Sequence, residues 1–176
     1  MTIAIRPARA EDVAAIDALL RESFPAPDEA MLVRDLCAEG DMVLTLVAYD
    51  EVAARLAGAI VFSRMAVTVG GKQVPAVALA PVAVAPNYRR QGVAEALIRA
   101  GHDMLESAGV VLSFVLGEPE FYGRFGYDAA VARNFASPYA GDYFMALALA
   151  LQGGLVPCGV REEAHHAPAF ARLGTQ

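Results

Sequence analysis

The chain has only two cysteines, Cys37 and Cys158, in 176 residues. Two thiols so far apart make neither a disulfide framework nor a metal-ligand spacing, so both read as reduced cysteines and no metal is expected. Long apolar runs are missing too. Hydrophobic residues reach 56%, against the usual 45–50% or so, yet the longest stretches, Ala76–Ala85 and Phe144–Leu151, have strand length. A spanning helix needs about 20 such residues. The excess lies in alanine and valine rather than aromatics, which indicates tight packing. The opening Met-Thr-Ile-Ala-Ile-Arg lacks the basic segment and apolar core of a signal peptide, so a cytoplasmic location is expected. Positive charge is scarce: a net charge of −6 argues against a general nucleic-acid binder while leaving room for one local basic site. Repeats, low-complexity tracts and dividing linkers are absent, and the length suits one domain with an unaided core.

What is present is a succession of well-patterned segments. Thr2–Arg6 alternates as a first strand, ended by Pro7. Val13, Ile16, Leu19 and Leu20 recur at helical spacing, with Glu11 and Asp12 in the first turn. Phe24-Pro25-Ala26-Pro27 breaks that helix, and Asp28 is expected to cap a second one reaching Gly40. Met42–Tyr49 and Arg55–Val69 read as strands, the second interrupted at Gly58 by a bulge or a close backbone approach. Gly70-Gly71 marks a hairpin turn, and Val74–Ala85 returns as the next strand. Pro81 removes a ladder donor inside it and so marks an edge, a bulge or a splayed strand.

The following helix places Val93, Ala96, Leu97, Ala100, Met104, Leu105 and Ala108 on one face and stops at Gly109. Val110–Leu116 completes a strand–helix–strand unit whose strands should be parallel. Pro119 opens a short helix holding Phe121, Tyr122 and Arg124, and Gly126 closes it. Tyr127 starts a short strand, Tyr143–Leu151 is the last clear strand, and a further short one reads near Leu155–Val160. His102 falls on the polar side of its helix and His165-His166 in the tail, so neither suggests catalysis or a metal.

Between the Val74–Ala85 strand and the long helix lies a short basic link, Pro86-Asn-Tyr-Arg-Arg-Gln-Gly92. Strand, tight turn and helix N-terminus together offer unpaired backbone N–H groups and a dipole to an anion. Gly92 and Ala94 lack bulk where backbone must approach a ligand, and Arg89 and Arg90 add charge. No Gly-Lys-Ser/Thr follows, so this is not a Walker loop. The first glycine and the ribose-binding acid of a dinucleotide fingerprint are missing as well.

The stretch Leu79–Ile98 resembles the acetyl-CoA-binding motif of the GNAT acyltransferases. That motif is Gln/Arg-x-x-Gly-x-Gly/Ala at the start of a helix, after an apolar strand ending in Val-x-Pro. Arg89, Gly92 and Ala94 occupy its three specified positions. The order of elements is similar too. Phe121–Tyr127 resembles the family's Tyr-x-x-x-Gly-Phe segment, with Tyr127 replacing the usual Phe. Ser137-Pro138-Tyr139, the strand Tyr143–Leu151 and Pro168-Ala169-Phe170 look like the bacterial YhbS-type branch.

The resemblance implies a single N-acetyltransferase domain over residues 1–176, with a core over 1–151 and a C-terminal extension over 152–176. The implied fold is α/β (α+β, mixed sheet): a mostly antiparallel sheet with one splayed parallel strand pair, flanked by helices. Acetyl-CoA would be a co-substrate. The backbone of Val82, Ala83 and Val84 would pair with its pantetheine arm, and the N–H groups of Arg90, Gln91, Gly92, Val93, Ala94 and Glu95 would hold the pyrophosphate, with Arg89 or Arg90 aimed at phosphate. Tyr122 would protonate the departing thiolate, a task that suits a phenol protonated at neutral pH. Tyr127, Tyr139 and Tyr143 read as packed aromatics.

A base is not singled out: Glu22, Asp28, Glu29 and Glu118 are candidates, each of a kind that is more often a solvated surface charge. The implied activity is direct acetyl transfer to a primary amine of a small molecule, peptide or protein. A non-catalytic acyl-CoA-binding regulatory module is the alternative. No nucleic acid or membrane partner is expected, and a homodimer is compatible. The acceptor site would border Phe24–Pro27, the strand around Arg55–Met65 and the tail.

Overall fold

A computed structural model describes residues 1–149 and 161–173, which form two compact units. The first contains Met1–Phe62, Pro81–Gly101 and the chain end from Pro168; the second contains Ser63–Ala80 and His102–Ala167. Mixed pairing, mostly antiparallel, builds the sheet.

In the first unit, strands β1 (Ile3–Pro7) and β2 (Met42–Asp50) run antiparallel, with Ile3 opposite Asp50 and Pro7 opposite Leu46. The chain enters helix α1 (Val13–Ser23) through a 3-10 turn at Ala10–Asp12. Asp12 holds that entry: its Oδ2 accepts from the Arg9 N–H at 2.7 Å and from Arg6 Nη1 at 2.7 Å. The apolar stripe of α1, Ile16, Leu19 and Leu20, packs with Val47 of β2 and with Ala30 of α2 (Asp28–Glu39). Pro27, not Asp28, occupies the N-cap of α2, with no side-chain cap. The ring fixes φ near the helical value one residue early, so Asp28 becomes the first helical residue; there its charge still suits the dipole. Gly40, with φ of 77°, ends α2 as expected. A 3-10 turn at Pro168–Arg172 buries Ala169 and Phe170, and Arg172 pairs with Asp35 and Glu39 of α2.

Strand β3 (Arg55–Val69) changes character along its length. Leu56–Phe62 is buried without a break, as in a strand covered on both faces. From Ser63 burial alternates, with Arg64 and Ala66 exposed and Met65 and Val67 buried. Helix α3 (Val93–Ser107) reaches β3 closely because a glycine stands on each side. A Cβ on Gly58 would lie 2.9 Å from the Ala83 carbonyl oxygen, 3.0 Å from Val93 Cγ1 and 3.1 Å from Leu97 Cδ1; one on Gly101 would lie 2.5 Å from Phe62 Cε2. Gly58 therefore marks a close approach. The buried residues of α3 are Val93, Leu97, Ile98, Gly101 and Leu105, whereas Met104 and Ala108, expected on the inner face, are exposed.

In the second unit, the Gly70-Gly71 turn has φ of 60° and 76°, the mirror-image turn of a tight hairpin. Strand β4 (Lys72–Val84) follows, and its Ala76–Leu79 segment pairs in parallel with Leu112–Val115 of β5 (Leu112–Leu116). That ladder stops short of Pro81. Strand β7 (Phe144–Ala148) lies antiparallel on the other edge of β5. Phe114 anchors this core, edge-on to Phe135 at 5.3 Å and stacked on Phe144 at 5.4 Å.

Tyr127 starts no strand. Asp128 forms an isolated bridge with Ala146 and then caps α5 (Ala129–Ala132), its Oδ1 accepting from the Ala130 N–H at 2.8 Å. Strand β8 (Glu162–His166), unforeseen, pairs antiparallel with Met65–Val67 and parallel with β6 (Phe135–Ala136). Tyr143 is 56% exposed rather than packed. Cys37 is a free exposed thiol; the strand expected near Leu155–Val160, and Cys158, lie outside the described residues. Among the described residues no helix is long and apolar enough to cross a membrane.

Gly58→Ala should destabilise the protein by about 1–3 kcal/mol, the usual cost of overpacking a filled interior. The measurement is the shift in urea midpoint at constant slope, and an unchanged midpoint would show that β3, β4 and α3 can separate freely.

Candidate active site

The link that enters α3 is built from three internal ties. Its 3-10 turn, Pro86–Tyr88, buries Tyr88. The Tyr88 hydroxyl donates to Asp50 Oδ2 at 2.7 Å and accepts from Arg55 Nε at 3.1 Å, while the Arg55 guanidinium lies 5.2 Å over the ring. Asp50 Oδ1 accepts from the N–H groups of Val52 and Ala53, so this one carboxylate closes the β2–β3 turn and anchors the link. Arg89 Nε donates to the Val84 carbonyl at 3.1 Å, and Gln91 Nε2 to the Asn87 carbonyl at 2.9 Å.

Within these ties the backbone takes an uncommon path. Arg90 has φ of 59° and Gly92 φ of 81°. A non-glycine residue in the left-handed region costs roughly 1–2 kcal/mol, and such costs persist where surrounding structure enforces them. Left-handed residues interleaved in a turn gather successive N–H groups into a concavity for anions. Directly after it, Val93, Ala94 and Glu95 form the first turn of α3, whose N–H groups have no acceptor within the helix. Arg90 and Gln91 are exposed; Glu95 is joined to Arg99 Nε at 3.1 Å.

Leading to the link, Val82 and Val84 are half-buried and Ala83 is buried against Gly58. The Val84 carbonyl already accepts from Arg89; with two lone pairs it retains capacity for one more donor. Beside Ala85–Asn87 opens a cavity of about 300 Å³, walled by Leu19, Leu56 and Pro86 and carrying Glu22, Arg55 and Asn87. Of the four acidic candidates, Glu22 lines this cavity, and Asp28 lines a smaller one of about 140 Å³ with Asp35 and Arg172. Glu29 is half-buried on α2, and Glu118 is the exposed N-cap of α4 (Pro119–Tyr122).

In the second unit, Tyr122 ends α4 and is half-buried. Its ring meets Phe121 edge-on at 4.9 Å and Tyr127 edge-on at 6.0 Å, and a Cβ on Gly117 would overlap it. Burial raises the phenol above its ordinary value, so it is a protonated donor at neutral pH. Tyr127 is packed, as expected, but also bonded: its hydroxyl lies 2.7 Å from Ser113 Oγ and 2.9 Å from His102 Nε2. His102 is therefore half-buried against an aromatic ring instead of facing solvent. Sequence reading missed that contact, and it missed Tyr88 as the anchor of the link.

A basic turn of this shape, set between an apolar strand and the N-terminus of an amphipathic helix, has the geometry of an anion site. Residues 4–130 match the model of the acetyltransferase (GNAT) domain. The chain is 39% identical to the uncharacterized N-acetyltransferase YhbS of Escherichia coli over 130 residues, 74% of this chain and 76% of that protein. The crystal structure of YhbS from Escherichia coli in complex with CoA superposes with a TM-score of 0.86 at 35% identity, covering 98% of this chain and 93% of that one. A GNAT family acetyltransferase from Brucella melitensis, in complex with acetyl-CoA, gives 0.76 at 27% identity, covering 96% and 98%. The chain belongs to the GNAT acetyltransferase family and has its fold; it is an acyltransferase.

The tie at Tyr88 carries a pH signature. The Tyr88 hydroxyl, first, and the Ala53 and Val52 N–H groups hold Asp50 below the usual carboxylate range, against the opposing push of burial. A carboxylate with a depressed folded pKa contributes stability above its unfolded value of about 3.9, and loses it as pH falls through the folded value. Tyr88→Phe should therefore unfold at lower urea than the parent at pH 7, with the gap narrowing below about pH 4. Urea titrations at several pH values read this directly; a gap that widens in acid would contradict it.

Proposed function

We propose that the protein is an acetyl-CoA-dependent N-acetyltransferase, one domain over residues 1–176, acting on a primary amine of a small molecule, peptide or protein. The observation that carries this reading is the turn at Arg90–Gly92: two left-handed residues, tied at three points, at the head of α3. Its chemistry suits the pyrophosphate of a CoA ester, and the relatives with CoA and acetyl-CoA support that choice. In this reading the N–H groups from Arg90 to Glu95 hold the pyrophosphate, and Arg89 stays with Val84 while Arg90 offers charge. The backbone of Val82, Ala83 and Val84 pairs with the pantetheine amides.

The amine nitrogen attacks the thioester carbonyl, a C–N bond forms, and the C–S bond breaks. The sulfur leaves with a proton from Tyr122, and the proton lost by the amine balances it. Orientation and hydrogen bonding to the developing oxyanion supply most of the acceleration. The non-catalytic alternative has no observation in its favour.

Incubation with acetyl-CoA and a panel of amines, followed by titration of released thiol, tests the reading. Tyr122→Phe should lower kcat by about 10²–10⁴, the range for losing a general acid. CoA at 100 times its Kd should add about 2.7 kcal/mol of stability. Stabilisation by CoA without transfer to any amine would favour the regulatory module.

A further inference from the structure

The second unit buries a polar chain that neither the turn nor the thiolate protonation uses. Ser113 on β5 is 0% exposed and Tyr127 is 3% exposed. Ser113 Oγ, the Tyr127 hydroxyl and His102 Nε2 follow one another at 2.7 and 2.9 Å. Polar groups in such a place cost free energy unless each finds a partner, and a phenylalanine at 127 would fill the same volume without that demand. The chain is self-consistent. With His102 Nε2 unprotonated, Ser113 donates to Tyr127 and Tyr127 donates to His102; with Nε2 protonated, both bonds reverse. Either way the Tyr127 ring is fixed from two elements, β5 and α3, and its orientation is set further by the tilted His102 ring at 5.4 Å.

What that fixed ring touches is Tyr122. The two rings meet edge-on, 6.0 Å apart at 86°, and the Tyr127 N–H donates to the Tyr122 carbonyl at 3.4 Å. Among the described residues no group hydrogen-bonds to the Tyr122 hydroxyl. Its aim therefore depends on how its ring is packed: Phe121 on one side, the gap left by Gly117, and Tyr127. A displacement of about 1 Å at a reacting atom can cost roughly 10²-fold in rate. We infer that Ser113, Tyr127 and His102 form a positioning group that aims the Tyr122 phenol. Tyr127 is its central member, with no direct contact with substrate. This inference rests on the proposed role of Tyr122.

A kinetic cycle over the parent, Tyr122→Phe, Tyr127→Phe and the double variant tests it, with kcat and KM for acetyl-CoA measured on each. Tyr127→Phe should lower kcat about tenfold or more and leave KM unchanged, yet cause no further loss in the Tyr122→Phe background; groups that act as a unit are non-additive in this way. His102→Leu should copy Tyr127→Phe, and His102→Gln, which restores a hydrogen-bonding group, should recover much of the rate. Because His102 is only half-buried, this pair also carries the test if Tyr127→Phe fails to fold. Equal losses from Tyr127→Phe in both backgrounds, or no recovery in His102→Gln, would overturn the positioning role alone. A parent that transfers acetyl normally while Tyr122→Phe is unimpaired would overturn the acid assignment, and the positioning role with it. A parent with no transferase activity would remove the proposed function itself.

Discussion

The close contact at Gly58 is the constraint on which the first unit depends. One missing Cβ lets three elements meet: the Ala83 carbonyl of β4, and Val93 and Leu97 of α3, all stand where a side chain on β3 would be. Ala83 belongs to the segment proposed to pair with pantetheine, and Val93 to the helix turn proposed to hold pyrophosphate. Strand and helix are thus set at a fixed spacing by van der Waals contact with the same backbone. Interiors packed to crystal-like density transmit such a displacement instead of absorbing it. The spacing is a property of β3, which itself touches no cofactor in the proposed arrangement.

Packing fixes where α3 begins, and hydrogen bonds fix the path by which the chain arrives. The left-handed Arg90 would relax in a free peptide. Here its neighbours are tied on both sides, Tyr88 to Asp50, Arg89 to Val84 and Gln91 to Asn87. Two of those bonds end on carbonyls of the link and its strand, and the third ends on a carboxylate that also closes the β2–β3 turn. The Arg89 side chain, one of the two that sequence reading aims at phosphate, is thereby spent on the backbone of the strand that leads to the link. This division is physically sensible, because N–H groups held in place need no reorganisation when an anion arrives.

How much of this could be read from the residues depended on distance along the chain. The Gly70-Gly71 turn and the start of α4 at Pro119 are set by local pattern and were legible; the parallel ladder of β4 with β5 was legible through the strand–helix–strand order despite its span, and Gly58 was legible as a break in its strand but not as to which kind. Tyr88 was not, because its partners Asp50 and Arg55 lie 38 and 33 positions away. Nor was β8, whose Glu-Glu-Ala-His-His string has a single buried residue and pairs across about a hundred positions with β3. The inner face of α3 was half right for another reason. Alanine weighs little in a periodicity, so an alanine-rich helix supports two adjacent stripes. The stripe that wins, Val93-Leu97-Gly101-Leu105, does so because Phe62 needs the space at Gly101. Tyr127 read as packing alone, since its hydroxyl is satisfied by Ser113 and His102 from other elements.

The two tyrosines show why burial by itself does not identify a proton donor. Burial raises both phenols, Tyr127 more, even though the Ser113 hydrogen bond pulls the other way. Tyr127 has its single proton committed within a closed chain, and giving it up would leave a phenolate in an apolar core. Tyr122 is half-buried and its hydroxyl is uncommitted among the described residues, so in the proposed mechanism it is the phenol whose proton a developing thiolate would take. A donor must be protonated, aimable and replenishable. Desolvation secures the first condition for both residues, and the packing around Tyr122 supplies the second. Partial exposure supplies the third to Tyr122 alone.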